Sequence, residues 1–171
     1  MANCKLAKDI LKENTCGYSL LKVVDLYLGN YTDITTTVAD GQVTAVTGDW
    51  YHIEPSKDSA SFTDELQVLD SGAKYRTHTL SFSVDSGSYD AALAGVIDDI
   101  ALGRYVAIAK LANDTMVMLG RTTPLEATSA NFSGAASASE STGIEFVLTS
   151  DTTETVVPVA ASVASSLKHG A

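Results

Sequence analysis

A chain of 171 residues, 45% hydrophobic and 19% charged, is long enough to bury one core without disulfide or metal staples, which excludes a small stapled scaffold. Eleven Lys and Arg stand singly among twenty-one Asp and Glu, for a formal charge of -10. No basic stripe exists on which phosphates would be neutralised, so sequence-reading of nucleic acid is not expected, whereas an acidic wall repels DNA that slides past it.

The chain begins "MANCKLAKDILKENTCGYS", with lysines but no continuous apolar run and no small-residue cleavage site, so a secretory signal is not expected. Residues 1–16 read as an N-terminal arm or short helix. No stretch approaches the roughly 18 apolar residues that a spanning helix needs, so no membrane anchor is expected. Cys4 and Cys16 are read as free or packed thiols, with a disulfide as the alternative; with His52, His78 and His169 they show no metal-ligand spacing. Neither a metal nor a cofactor is expected.

From Gly17 the pattern turns β-like and carries one domain over 17–150. Strands are expected near Leu20–Leu28, Ile34–Val38 and Gln42–Thr47, with Asp40-Gly41 as a tight hairpin turn, since Gly accepts positive φ. The stretch from Asp49 to Gly72 reads as a long polar excursion. After it, Arg76, His78, Leu80, Phe82 and Val84 alternate with Thr77, Thr79, Ser81 and Ser83, the pattern of a strand in a long hairpin. The one helix is expected near 88–102, capped by Ser86 or Ser88 with Asp90 in its first turn, and stopped at Gly103. Its Leu93, Val96, Ile97 and Ile100 form an apolar stripe. Strands follow at Tyr105–Leu111, Met116–Gly120, Leu125–Thr128 and Ile144–Ser150, with Asn113-Asp114 as a turn and Met116 and Met118 on one packed face. The small residues from Ser129 to Gly143 read as a loop, and 151–171 as an extended or frayed C-terminal extension.

No catalytic template is complete: there is no nucleophile elbow, phosphate loop, zinc-protease helix or dinucleotide fingerprint. His52 and His78 read as strand or loop histidines, and adjacent Asp98 and Asp99 face about 100° apart on a helix, so they do not converge. Asp58, Asp64 and Glu65 do not match a calcium loop. A non-enzyme is expected. Trp50 and Tyr51, flanked by solvent-like residues, are read as exposed anchors at a subunit interface or, equally, as core; Phe62 joins them as a candidate interface residue.

"MANC" with Cys16, "DGQVTAV", "GRYVAIAKLANDTMVMLG" and "PLEATSANFSGAASASESTGIEFVLTS" resemble small virion structural proteins of phages that infect Bacteroides-type gut bacteria. The order of strands, central helix and hairpin is similar to the tail-tube fold. The resemblance implies a mainly β protein with one central helix (α+β), a β-sandwich or half-barrel of tail-tube type. It also implies a subunit of a tube, neck or terminator ring, assembled in the bacterial cytoplasm into the virion. Its partners would be copies of itself, commonly six, other tail or neck proteins, and DNA that passes through the lumen unbound. The rival reading is a β-sandwich binding module, such as a head decoration or a carbohydrate-binding adhesion domain, with Trp50, Tyr51 and Tyr89 as its aromatic contacts.

Overall fold

In a computed structural model, residues 6, 8–11, 20–137 and 143–167 are described. Eleven strands form one open, mixed sheet: β1 (Val23–Asn30), β2 (Thr35–Ala39), β3 (Gln42–Thr47), β4 (Trp50–Ile53), β5 (Ser61–Val68), β6 (Lys74–Asp85), β7 (Arg104–Leu111), β8 (Met116–Leu119), β9 (Leu125–Ser133), β10 (Gly143–Thr152) and β11 (Val157–Val159). The helix α1 (Ala91–Leu102) precedes β7, and a 3-10 helix over Ala161–Leu167 follows β11. The class is mainly β with a minor helical part, an α+β protein.

The main path runs β2-β3-β11-β8-β7-β9-β10-β6-β5 and branches at β7. On one side β7 pairs with β1 along nearly its whole length, and β4 continues that branch; on the other it meets β8 at residues 107–110 and β9 at Arg104 and Tyr105. All pairings are antiparallel except the single bridge between Val159 of β11 and Val43 of β3.

Because β7 is central, its side chains are buried on both faces. Tyr105, Ala107 and Ala109 enter one core with Leu26, Leu28, Leu80, Phe82, Phe146 and Leu148, while Val106 and Ile108 enter a second with Val43, Trp50, Met116 and Met118. Strict alternation therefore fails to appear as polar and apolar positions, the expected signature of a strand covered twice. The pairing of Met116 with Met118 on one packed face is as the sequence predicts. So is β6, where His78, Leu80 and Phe82 are buried and the intervening Thr and Ser are half-buried.

Turn chemistry is local and legible. Asp40 and Gly41 both adopt positive φ, 53° and 78°, as a two-residue primed turn requires. Asp114 sits at φ 66°, and the amide of Thr115 donates to Asn113 Oδ1 at 3.2 Å. The helix ends at Gly103, whose N–H reaches the Asp99 carbonyl at 2.9 Å.

Several expectations are corrected. The helix cap is Asp90, whose carboxylate accepts from the Leu93 amide at 2.9 Å, and not Ser86 or Ser88. An Asp carboxylate satisfies an orphan amide as a Ser does and adds a charge matched to the helix dipole. Half of the polar excursion from Asp49 to Gly72 is sheet, because β4 pairs with β1 and β5 pairs with β6. Leu20–Lys22 precede β1, and β9 runs on through Ser133 instead of ending in a loop after Thr128. Residues 152–167 are no frayed extension: β11 lies between β3 and β8, and Val163 and Leu167 of the 3-10 helix enter the second core. Of the expected arm over 1–16, residues 8–11 are non-helical; Cys4 and Cys16 lie outside the described residues, as does His169.

Candidate functional site

Among the described residues, three strands have a neighbour on only one side: β2 beyond β3, β4 beyond β1, and β5 beyond β6. The border of a sheet is where the backbone of another chain is able to add. The β5 edge is the longest at eight residues, and its hairpin tip exposes Leu66, Val68 and Leu69.

Inside that edge strand sits an acidic staple. Asp64 faces Arg76 and His78 across the β5–β6 pair: its Oδ1 accepts from Arg76 Nε at 2.6 Å and lies 3.3 Å from His78 Nε2, a contact without hydrogen-bond geometry. Its Oδ2 accepts from the Val156 amide at 3.1 Å, which fastens the chain leading into β11. Burial alone would raise this carboxyl. The Arg76 hydrogen bond, the Val156 N–H and the attraction of His78 and Arg76 outweigh it and hold Asp64 below its ordinary value. A depressed folded-state value means that the stabilisation is full above the ordinary carboxylate range and is lost as pH falls through the depressed value. Asp64→Asn is therefore expected to cost about 1–3 kcal/mol at neutral pH. Its gap from the wild type should close on acidification, as read from urea midpoints at a series of pH values. A gap independent of pH would assign the loss to packing alone.

At the β4 edge the side chains are of a different kind. His52 Nε2 is 2.9 Å from Asp25 Oδ1, and its ring stacks on Tyr27 with centroids 5.0 Å apart. The β1–β4 register places Tyr27 opposite His52 and brings Asp25 within reach. This is an oriented imidazole on a half-exposed ledge, and among the described residues no nucleophilic hydroxyl or thiol is recorded as its partner. No group of three His, Cys, Asp or Glu converges among the described residues either.

Between the β4 edge and α1 lie two adjoining hollows of about 690 and 780 Å³, which share His52, Ile53, Val96 and Ile100. Together they form a groove floored by apolar side chains of α1, β4 and the first core. Its rim is acidic: Glu54 and Asp85 border one hollow, Asp98 and Asp99 the other, with Lys57 beside the first. Asp98 and Asp99 lie on α1, and both are exposed. The Asp99 carbonyl accepts from the Tyr105 hydroxyl. Burial first, and the Asp99 charge second, push the Tyr105 phenol up, so it stays a donor.

The predicted interface residues separate. Trp50 is 1% exposed and packs in the second core, so its reading as an exposed anchor is corrected to a core residue. The solvent-like flanks misled because Trp50 alternates with Tyr51 across β4: Tyr51 is the one that faces out, 46% exposed, and lines the groove. Phe62 is half-buried against the first core on the β5 edge strand. Tyr89 is exposed and pairs with Phe132, ring centroids 4.6 Å apart. Sequence reading missed the Asp64–Arg76–His78 staple and the Asp25–His52 pair. The hairpin register, which sets Asp64 opposite His78, was the available signal for the first.

Fold and site together define a β-rich α+β protein with an open mixed sheet that, among the described residues, is bordered by β2, β4 and β5 and carries an acid-rimmed apolar groove. No family model, curated protein or solved structure matches the chain. Among the described residues, no helix is long and apolar enough to cross a membrane.

Proposed function

We propose that this protein is a non-enzymatic structural subunit that associates with copies of itself through its sheet edges, as a component of a tailed-phage tube, neck or terminator ring. The observation that carries the reading is the sheet of eleven strands in which, among the described residues, β2, β4 and β5 each pair on one side only. A sheet this large gains by covering its edges, and pairing edge to edge with heterologous contacts closes a ring when the rotation permits. The resemblance of the sequence's order of strands, helix and hairpin to tail-tube proteins adds to it, with six copies as the expected number. The net charge of -10 suits a lumen through which DNA moves without sticking. Sedimentation velocity and negative-stain microscopy over a concentration series test this: annular or tubular particles are expected. A monomer at every concentration would remove the reading.

One observation favours a second reading, a carbohydrate-binding module: the exposed Tyr89–Phe132 pair offers an aromatic surface on which a sugar ring is able to stack. With Trp50 buried, Tyr51 and Tyr89 are what is left of its expected aromatic contacts. Monomers that bind glycans, and lose the binding in Tyr89→Ala, would select it.

A further inference from the structure

Described residues ahead of the sheet present large apolar side chains to solvent. Leu6, Ile10 and Leu11 are 81%, 86% and 80% exposed, among the most exposed large apolar side chains of the molecule. In a protein of net charge -10, residues 5–12, "KLAKDILK", carry three lysines against one aspartate. At 100° per residue, Leu6, Ala7, Ile10 and Leu11 fall within one arc of a helix, and Lys5, Lys8, Asp9 and Lys12 on the opposite arc. The sequence is thus an amphipathic cationic helix in waiting, although residues 8–11 are not helical here.

The groove beside α1 is its complement. The floor is apolar, the rim carries Glu54, Asp85, Asp98 and Asp99, and Val96 and Leu102 stand exposed along it. We propose that residues 5–12 of one copy fold as a helix in the α1–β4 groove of the next copy, with Leu6, Ile10 and Leu11 on the groove floor and the lysines against the acidic rim. The inference rests on the self-association proposed above and adds to its edge pairing a second contact that strengthens it. Helix-in-groove docking takes apolar anchors at helical spacing, and a segment that orders on contact is a common way to supply them. Because the arm and the groove are different surfaces, the contact is head to tail, and repeating it builds a ring or an open filament.

Two variants of the full chain test it. Leu6→Glu with Ile10→Glu spoils the arm; Val96→Glu with Leu102→Glu spoils the groove. All four positions are exposed in the single chain, so circular dichroism and the thermal midpoint are expected to match the wild type. Each variant should self-associate at least about tenfold more weakly in sedimentation velocity, since each places charge in an apolar contact. Mixed together, the two variants retain one intact arm–groove pair, so they are expected to bind each other more tightly than either binds itself. Wild-type-like assembly by both variants would overturn the docking and leave edge-to-edge association standing. A wild type that never associates would overturn both. Variants that fail alone and stay monomeric when mixed would also sink it, because an arm seated in its own groove, or on another surface, predicts no complementation.

Discussion

A chain that ends at Val156 is expected to lose its cooperative unfolding transition. The deleted part holds β11 and the 3-10 helix, and four of its side chains, Val157, Val159, Val163 and Leu167, are buried in the second core. At about 1.5–3 kcal/mol for each fully buried aliphatic side chain, their sum is comparable with the roughly 5–15 kcal/mol by which a whole domain is stable. The loss is larger than area alone suggests. Met116, Met118 and Val43 lose their cover, and β3 and β8 lose the strand between them, so ladder groups that Val157–Val159 satisfied are left in an apolar setting. Thermal scans by near-ultraviolet circular dichroism, with dye binding to report exposed apolar surface, should show a broad transition and strong binding. A sharp transition near that of the full chain would make the segment an appendage after all.

Why that segment reads as an extension while the rest of the sheet is legible comes down to where the information sits. In β6 the alternation of His78, Leu80 and Phe82 with Thr and Ser is a property of ten adjacent residues, and one covered face suffices to generate it. The turns at Asp40-Gly41 and Asn113-Asp114 are likewise fixed by the conformations those residues tolerate. The buried residues of 157–167, by contrast, are spaced by two, four and four among Ala and Ser, which matches neither a strand nor an amphipathic α-helix over its length. Pro158 argues further against a strand between two others. It is accommodated because β3 meets β11 only at Val159, so no ladder bond to β3 is required of Pro158. What makes the segment structural is that β3 and β8 leave a gap there, a fact encoded more than a hundred residues away for one and about forty for the other.

The same distinction separates the parts of the candidate site. The acidic residues of the rim and the cationic N-terminal segment are visible in composition, but that Glu54, Asp85, Asp98 and Asp99 border one groove follows from β4 lying beside α1 through its pairing with β1. Each of these carboxylates is bland when read alone. Their meeting around an apolar floor is tertiary, as is the open edge of β4, because no local pattern states which strand lacks a second neighbour.

Trp50→Ala is expected to lower the stability of the isolated subunit by about 3–5 kcal/mol, the usual cost of emptying a large aromatic site in a core. For a chain of this size that corresponds to a fall of roughly 6–20 °C in the thermal midpoint. The site is built around the ring. Gly29 pairs with Trp50 across β1 and β4, and a Cβ on it would come 2.7 Å from Ile34 and 3.3 Å from the Trp50 ring, so the glycine leaves the slot in which both side chains lie. Neighbours held by that sheet register collapse little into the space. The indole Nε1 has no acceptor among the described residues, so Trp50→Phe discards an unsatisfied donor together with part of the ring. It should therefore cost clearly less than the alanine change. Trp50 is the single tryptophan, which makes its fluorescence a direct report on the second core: blue-shifted in the native protein and red-shifted in step with unfolding. An alanine variant with an unchanged midpoint and defective assembly would return Trp50 to the subunit interface, and with it would require β4 to sit differently on β1.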